Sequence, residues 1–211
     1  MAILEEISEQ LKKGKVKIVK EKVQEALDQG IDPKEVLEEG LIKTMNEIGV
    51  KFKNNEIYVP EVLIAARAMN AGLAILEPKL VEAGAKPLGK VVLGTVKGDL
   101  HDIGKNLVGI MLKGAGLEVV DVGVDVSADK FIDTAEKEGA SIICMSALLT
   151  TTMEYMGEVI KELDSRNLRD KYTVMIGGAP ITDEYAKQIH ADYYTPDAAS
   201  AAEVAKRVLT A

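Results

Sequence analysis

The densest chemistry in the chain lies in the segment VKGDLHDIGKNL, which puts Asp99, His101, Asp102, Ile103 and Gly104 within six residues. In an extended segment, residues i and i+2 point the same way. Asp99 therefore reaches the ring of His101. A carboxylate bonded to one ring nitrogen fixes the imidazole tautomer and leaves the other nitrogen free as a base or a metal ligand. Gly104, at the start of the next helical pattern, lets a large ligand approach the backbone. The plain alternative is a solvated loop histidine. A conventional metal site lacks a second nearby histidine, because the other one, His190, lies in a different region. Gly94, Gly98 and Gly104 do not match G-x-G-x-x-G, and no Walker lysine pattern is present.

Two further segments carry residues of the same kind. SALLTTTM, Ser146 to Met153, holds hydroxyls at 146, 150, 151 and 152, of which capping the following helix needs only one. IGGAP places Gly177 and Gly178 where side chains would keep something from lying against the backbone; a tight turn is the simpler alternative. Asp197, behind Pro196, suits a helix cap.

Each of these segments follows a short β-branched apolar run. The runs are 91–95, 117–122, 140–146, 173–176 and, weakly, 192–195. Helical patterns separate them at about 103–115, 128–138, 152–164, 183–190 and 197–209. Nearly continuous apolar runs suit strands covered on both faces. The alternation predicts a doubly wound five-stranded parallel sheet, α/β in class, whose ligands bind beyond the carboxyl ends of the strands. Residues 1–85 read differently, as four amphipathic helices over about 2–13, 15–29, 33–49 and from Pro60 onward, which suggests a small antiparallel bundle. Asp32, Pro33 and Glu35 mark the start of the third. Residues 82–90 read as a linker between domains 1–85 and 86–211.

The 211 residues carry 26 basic and 34 acidic side chains, a formal net charge of −8. That balance argues against nucleic acid as a partner. The single cysteine, Cys144, excludes an internal disulfide and a multi-cysteine zinc site; inside a strand it reads as a small core residue. His190, at a helix end, reads as a surface residue favourable to the helix dipole. The acidic start is unlike a signal peptide, and no apolar stretch approaches the ~18 residues of a membrane span, so a soluble cytoplasmic protein with no membrane partner is expected.

Asp99-x-His101-x-x-Gly104, then Ser146-x-Leu148, then Gly177–Gly178 resembles the cobalamin-binding pattern D-x-H-x-x-G…S-x-L…G-G. With the helical half, including GVKFKNNEIYVPEVLIAARAM, the chain resembles corrinoid methyl-carrier proteins and the cap plus cobalamin module of methionine synthase. The resemblance implies a flavodoxin-like cobalamin domain behind a four-helix cap. It implies a cobamide bound with its own lower base detached, His101 on cobalt and Asp99 as the hydrogen-bonded partner. Thr152 stands where that module carries a serine that completes the relay. Ser146, Leu148, Thr150, Gly177 and Gly178 would line the slot for the nucleotide tail, with Gly104 admitting it beside Asp102 and Ile103. Val62, Ala65 and Met69 would lie on the cap face over the corrin, and 82–90 would act as a hinge.

The implied function is a non-catalytic methyl-carrying subunit. Its partners would be a substrate methyltransferase, an acceptor methyltransferase using tetrahydrofolate or a thiol, and a reductive activator. The alternatives are a cobalamin-dependent sensor, which needs a DNA-binding segment, and an adenosylcobalamin mutase subunit, which needs a substrate barrel. A flavodoxin-like or receiver domain would give His101 no role.

Overall fold

The structure is a computed structural model that describes residues 2–83 and 87–210. It divides into two compact units, Met1–Pro87 with Gly114–Gly116, and Leu88–Lys113 with Leu117–Ala211. The segment expected as a linker, 82–90, includes residues 84–86, which lie outside the described residues.

The first unit is helical. Its elements are α1 (Ala2–Lys12), α2 (Val16–Asp28), α3 (Pro33–Glu35), a π-helical stretch (Val36–Ile42), α4 (Lys43–Lys53) and α5 (Val59–Glu82). In α1 the apolar residues Ile3, Leu4, Ile7 and Leu11 are all buried, and in α2 so are Val19, Val23 and Ala26. These are the spacings that give a helix one apolar stripe. The Asp32 side chain accepts from the Lys34 N–H at 2.8 Å and Pro33 takes the first turn, as its sequence suggests. The single helix expected over 33–49 instead passes through the π stretch and runs on to Lys53.

Helix α5 packs against α1, α2 and α4. Contrary to the expectation from uninterrupted apolar runs, Val59–Leu80 is long and apolar enough by length and composition to cross a membrane. Glu61, Arg67 and Glu77 interrupt it, which is why a search for an unbroken run passes over it. Buried Val62, Ala65, Ala68 and Leu76 identify it as a core helix of the bundle.

The second unit is the expected α/β fold. The strands are β1 (Lys90–Val96), β2 (Glu118–Val126), β3 (Ile142–Ser146), β4 (Thr173–Gly177) and β5 (Tyr193–Tyr194). All pair in parallel in the order β2-β1-β3-β4-β5. The helices between and after them are α6 (Ile103–Gly114), α7 (Ala128–Glu138), α8 (Glu154–Ser165), α9 (Asp183–Ile189) and α10 (Ala198–Thr210). Alternate residues of β1 serve opposite faces. Val92 and Val96 join the core of Phe131, Ile132, Met156 and Val159 from α7 and α8, while Gly109 of α6 comes down on Leu93. Burial on both faces is why these strands read as continuous apolar runs.

The main departure is β2, which ends at Val126 rather than near 122. Its second half, DVGVDV, contains the residue types of a turn, yet it pairs with β1 through two irregularities of register.

The strand order reverses between β1 and β3, which opens a crevice beyond their carboxyl ends. There Thr95 of β1 pairs with Ser146 of β3, and Ser146 pairs with Gly177 of β4. Three segments, at residues 95, 146 and 177 of the sequence, thus end in one row.

Candidate functional site

Asp99 is at the centre of this edge. Its side chain is fully buried, and it accepts five hydrogen bonds. Oδ1 accepts from His101 Nδ1 at 2.7 Å and from the His101 backbone N–H at 3.1 Å. Oδ2 accepts from the N–H groups of Leu148 and Leu149 at 2.8 and 3.2 Å, and from Thr152 Oγ1 at 2.9 Å. Burial pushes this carboxyl up. The Leu148 N–H, the His101 ring, the His101 N–H and the Leu149 N–H outweigh it and hold the group well below the usual carboxylate range. Asp99 is therefore an anion at any working pH.

With Nδ1 on Asp99, the His101 ring directs Nε2 outward. The side chain is 51% exposed, and among the described residues nothing bonds Nε2. The backbone is also held: Thr95, buried in β1, donates its hydroxyl to the His101 carbonyl at 2.9 Å. On the two segments that Asp99 joins, four large apolar side chains are exposed, Leu100 and Ile103 next to His101 in the chain and Leu148 and Leu149 on the other. A methyl group added at Gly104 would meet no protein atom within 4 Å. An imidazole with one fixed and one open nitrogen, surrounded by apolar surface and bordered by open backbone, fits a large flat ligand with a nitrogen-seeking metal. No group of three or more His, Cys, Asp or Glu residues that would hold a metal by itself occurs among the described residues. Asp102 instead accepts from the Asn106 side chain at 3.1 Å.

The SALLTTTM segment forms the second wall. Ser146 ends β3, and Thr150–Thr152 make a short 3-10 turn. None of the three threonines caps α8 through its side chain. Thr152 Oγ1 instead donates toward Asp99 and lies 2.9 Å from the Leu149 carbonyl. Thr150 is exposed.

Gly177 and Gly178 close the third side. A Cβ at Gly178 would stand 1.8 Å from the Ala147 carbonyl oxygen, and the residue has φ +138°. Its missing side chain thus lets two of the chain's own loops meet. At Gly177 a Cβ would stand 3.1 Å from the Thr195 carbonyl oxygen. Gly178→Ala is expected to destabilise the fold by at least about 3 kcal/mol, since backbone is the obstacle and the conformation is strained. Urea denaturation measures it; a loss below about 1 kcal/mol would contradict the packing described.

Val62, Ala65 and Met69 are buried, whereas Leu63 and Ile64 beside them are partly exposed. Cys144 is buried, which pushes its thiol up to about 12 and leaves it inert. His190 caps α9 with a left-handed backbone, φ +62°, and its N–H donates to the Lys187 carbonyl.

Sequence reasoning missed Thr95, hidden inside an apolar run, and the partners of the backbone N–H groups at 148 and 149. It also missed Asp121, Lys105 and Asp125, which border the His101 loop. For the two aspartates the signal was the mixture of polar residues in DVGVDV; Lys105 stood in VKGDLHDIGKNL itself.

Two family models match the chain, both described as a B12 binding domain, one over residues 89–205 and the other over 3–77. A corrinoid protein of Desulfitobacterium hafniense strain Y51 is 42% identical over 99% of this chain and 98% of its own. Dimethylamine corrinoid protein 3 of Methanosarcina acetivorans is 41% identical over 99% of this chain and 100% of its own. Among solved structures, the methanol:cobalamin methyltransferase complex MtaBC from Methanosarcina barkeri contains a chain with a TM-score of 0.90 and 29% identity, covering 99% of this chain and 80% of that one.

Proposed function

The chain belongs to the corrinoid proteins, the family of the B12 binding domain, and from that premise we propose that it carries a methyl group between two methyltransferases. It binds a corrinoid cofactor. When bound, the cobalt of that cofactor supplies the chemistry, taking up a methyl group and giving it up.

In this reading His101 would hold the cobalt through Nε2, in place of the cofactor's own lower base. Asp99 sets the tautomer by accepting the Nδ1 proton at 2.7 Å, and Thr152 holds Asp99 in place. Leu100, Ile103, Leu148 and Leu149 would give the cofactor apolar surface to cover. Ser146, Leu148, Thr150, Gly177 and Gly178 border the slot for the nucleotide tail, and Gly104 leaves its entry open beside Asp102 and Ile103.

Residues 86–211 form the cobalamin domain and 1–85 the cap. On α5, Leu63 and Ile64 are exposed, whereas Val62, Ala65 and Met69, the residues expected over the corrin, are buried. The donor is a methylated amine, a reading supported by the dimethylamine corrinoid relatives. The partners are a methylamine methyltransferase, an acceptor methyltransferase using tetrahydrofolate or a thiol, and a reductive activator, in the cytoplasm.

The observation that carries this reading is the Asp99–His101 bond with Nε2 facing outward. Its test is anaerobic reconstitution with cob(II)alamin, comparing protein with natural and with 15N-labelled histidine. An axial histidine gives a nitrogen triplet in the electron paramagnetic resonance spectrum that becomes a doublet on labelling. A protein that fails to retain the cobamide, or a triplet indifferent to labelling, refutes the ligand assignment. Methyl transfer is then assayed with methylamines, methanol and candidate methyltransferases, and failure with every donor refutes the carrier role.

Gly104→Ala separates fold from binding. The methyl group meets no protein atom and suits a helix, so the cofactor-free protein is expected to gain up to about 1 kcal/mol. Hydroxocobalamin affinity, measured by equilibrium dialysis, is expected to fall about tenfold, the magnitude of one misplaced contact. Unchanged affinity would remove Gly104 from the site.

A further inference from the structure

Strand β2 continues past its expected end by means of two extra residues. Leu93 pairs with Asp121 and Gly94 with Gly123, which leaves Val122 unmatched. Val96 pairs with Val126, so Val124 and Asp125 together stand opposite the single residue Thr95. Such bulges re-aim side chains next to functional sites. Here they coincide with two left-handed residues, Gly123 at φ +92° and Asp125 at φ +53°. A glycine adopts that backbone freely, while an aspartate needs compensating bonds.

Those bonds lead to the His101 loop. The Gly98 N–H donates to Asp125 Oδ1 at 2.7 Å, and the Asp125 N–H donates to the Asp99 carbonyl at 3.0 Å. At the other end of the loop Lys105, buried in the first turn of α6, is paired with Asp121 Oδ2. The second oxygen of Asp121 accepts from the Gly123 N–H at 2.9 Å and holds the first bulge. Lys105 also donates to Asn106 Oδ1 at 2.8 Å, whose amide donates to Asp102, the neighbour of His101. His101 lies between these two grips, three residues from Gly98 and four from Lys105.

We propose that the bulged segment Asp121–Asp125 is a positioning element for His101: it fixes both ends of the loop and holds the imidazole ready to ligate before any corrinoid arrives. The inference rests on the reading of His101 as the axial ligand. Asp121 and Asp125 act through the loop. A loop ordered in advance loses less freedom on binding, so the gain appears as affinity and as a uniform ligation state.

Two variants of the full-length chain test it. Asp125→Gly keeps the left-handed backbone without strain and removes the carboxylate. Asp125→Asn keeps an acceptor oxygen and tolerates the same backbone. Hydrogen exchange at the Gly98 amide is measured by NMR in cofactor-free protein. Affinity for cob(II)alamin and the fraction showing the histidine nitrogen splitting are measured after anaerobic loading.

In Asp125→Gly, Gly98 is expected to exchange about tenfold faster, cob(II)alamin to bind about three- to tenfold more weakly, and the ligated fraction to fall. Asp125→Asn is expected to restore all three, with melting temperatures within about 2 °C of wild type, since the position is exposed. Wild-type exchange and ligated fraction in Asp125→Gly would overturn the proposal, as would a loss that Asp125→Asn fails to restore. His101→Ala distinguishes the two readings. If it shows the same splitting as wild type, the ligand assignment falls and this proposal with it. If the splitting vanishes in His101→Ala while Asp125→Gly keeps the wild-type ligated fraction and Gly98 exchange, only the positioning role falls.

Discussion

His101→Ala protein is expected to bind cob(II)alamin at least about 100-fold more weakly than wild type, and to lack the histidine nitrogen splitting in what it does bind. Removing groups that merely orient a metal ligand costs 10- to 100-fold, so removing the ligand itself sets that as the floor. The fold should tolerate the change. The ring is half exposed, and Asp99 keeps four of its five donors, the N–H groups of 101, 148 and 149 and the Thr152 hydroxyl. The melting temperature of the cofactor-free variant should stay within about 2 °C of wild type. Free imidazole at millimolar concentration should restore a nitrogen ligand in the gap and recover part of the affinity. Undiminished affinity with an unaltered spectrum would refute the assignment, whatever the resemblance to other corrinoid proteins.

Asp99→Ala should behave in the opposite way and damage the fold itself. It strands the N–H groups of His101, Leu148 and Leu149 beside a fully buried position, where each unmet donor costs about 1–3 kcal/mol, while the Thr152 hydroxyl keeps the Leu149 carbonyl. A total of about 3–5 kcal/mol corresponds to a melting temperature lower by about 10 °C. Asp99→Asn keeps an acceptor oxygen and should lose about half of that.

The pH dependence carries a sign. The Asp99 carboxyl is held well below its ordinary value in the folded state, so its contribution is present above the unfolded value of about 4 and fades as pH falls below about 5. The stability gap between wild type and Asp99→Asn should therefore narrow between about pH 5 and about pH 3. Urea titrations at both values measure it. A constant gap would mean that the charge on Asp99 contributes nothing to the fold.

How much of this was legible from residues depends on what each signal encodes. The five strands were visible because burial on both faces leaves continuous β-branched runs; their order, β2-β1-β3-β4-β5, was not, because right-handed crossovers in a doubly wound sheet permit more than one order. The Asp99–His101 bond was legible because i, i+2 spacing in an extended segment is local geometry. The N–H groups of Leu148 and Leu149 were not, since backbone donors carry no residue type. Asp121, Gly123 and Asp125 read as a strand end because the same residues that make turns also make bulges. Gly178 was recognisable as a place of close approach, but only coordinates identify Ala147 as what approaches. On α5 the apolar stripe was legible; which of its side chains stay exposed was decided by the neighbouring helices.

One carboxylate serves two stretches of chain about fifty residues apart, 101 on one side and 148 to 152 on the other. The shortest portable unit for that carboxylate and its donors is therefore a pair of segments, which the bulged stretch 121–125 must accompany to hold the loop's ends. An engineer who grafts DLHDIGK alone onto another five-stranded scaffold would import an anion with most of its donors left behind. The imidazole would arrive without the setting that aims it. Transplanting Asp99–Lys105 together with Ser146–Thr152 moves donor and acceptor as one part, and adding Asp121–Asp125 brings Lys105 its partner.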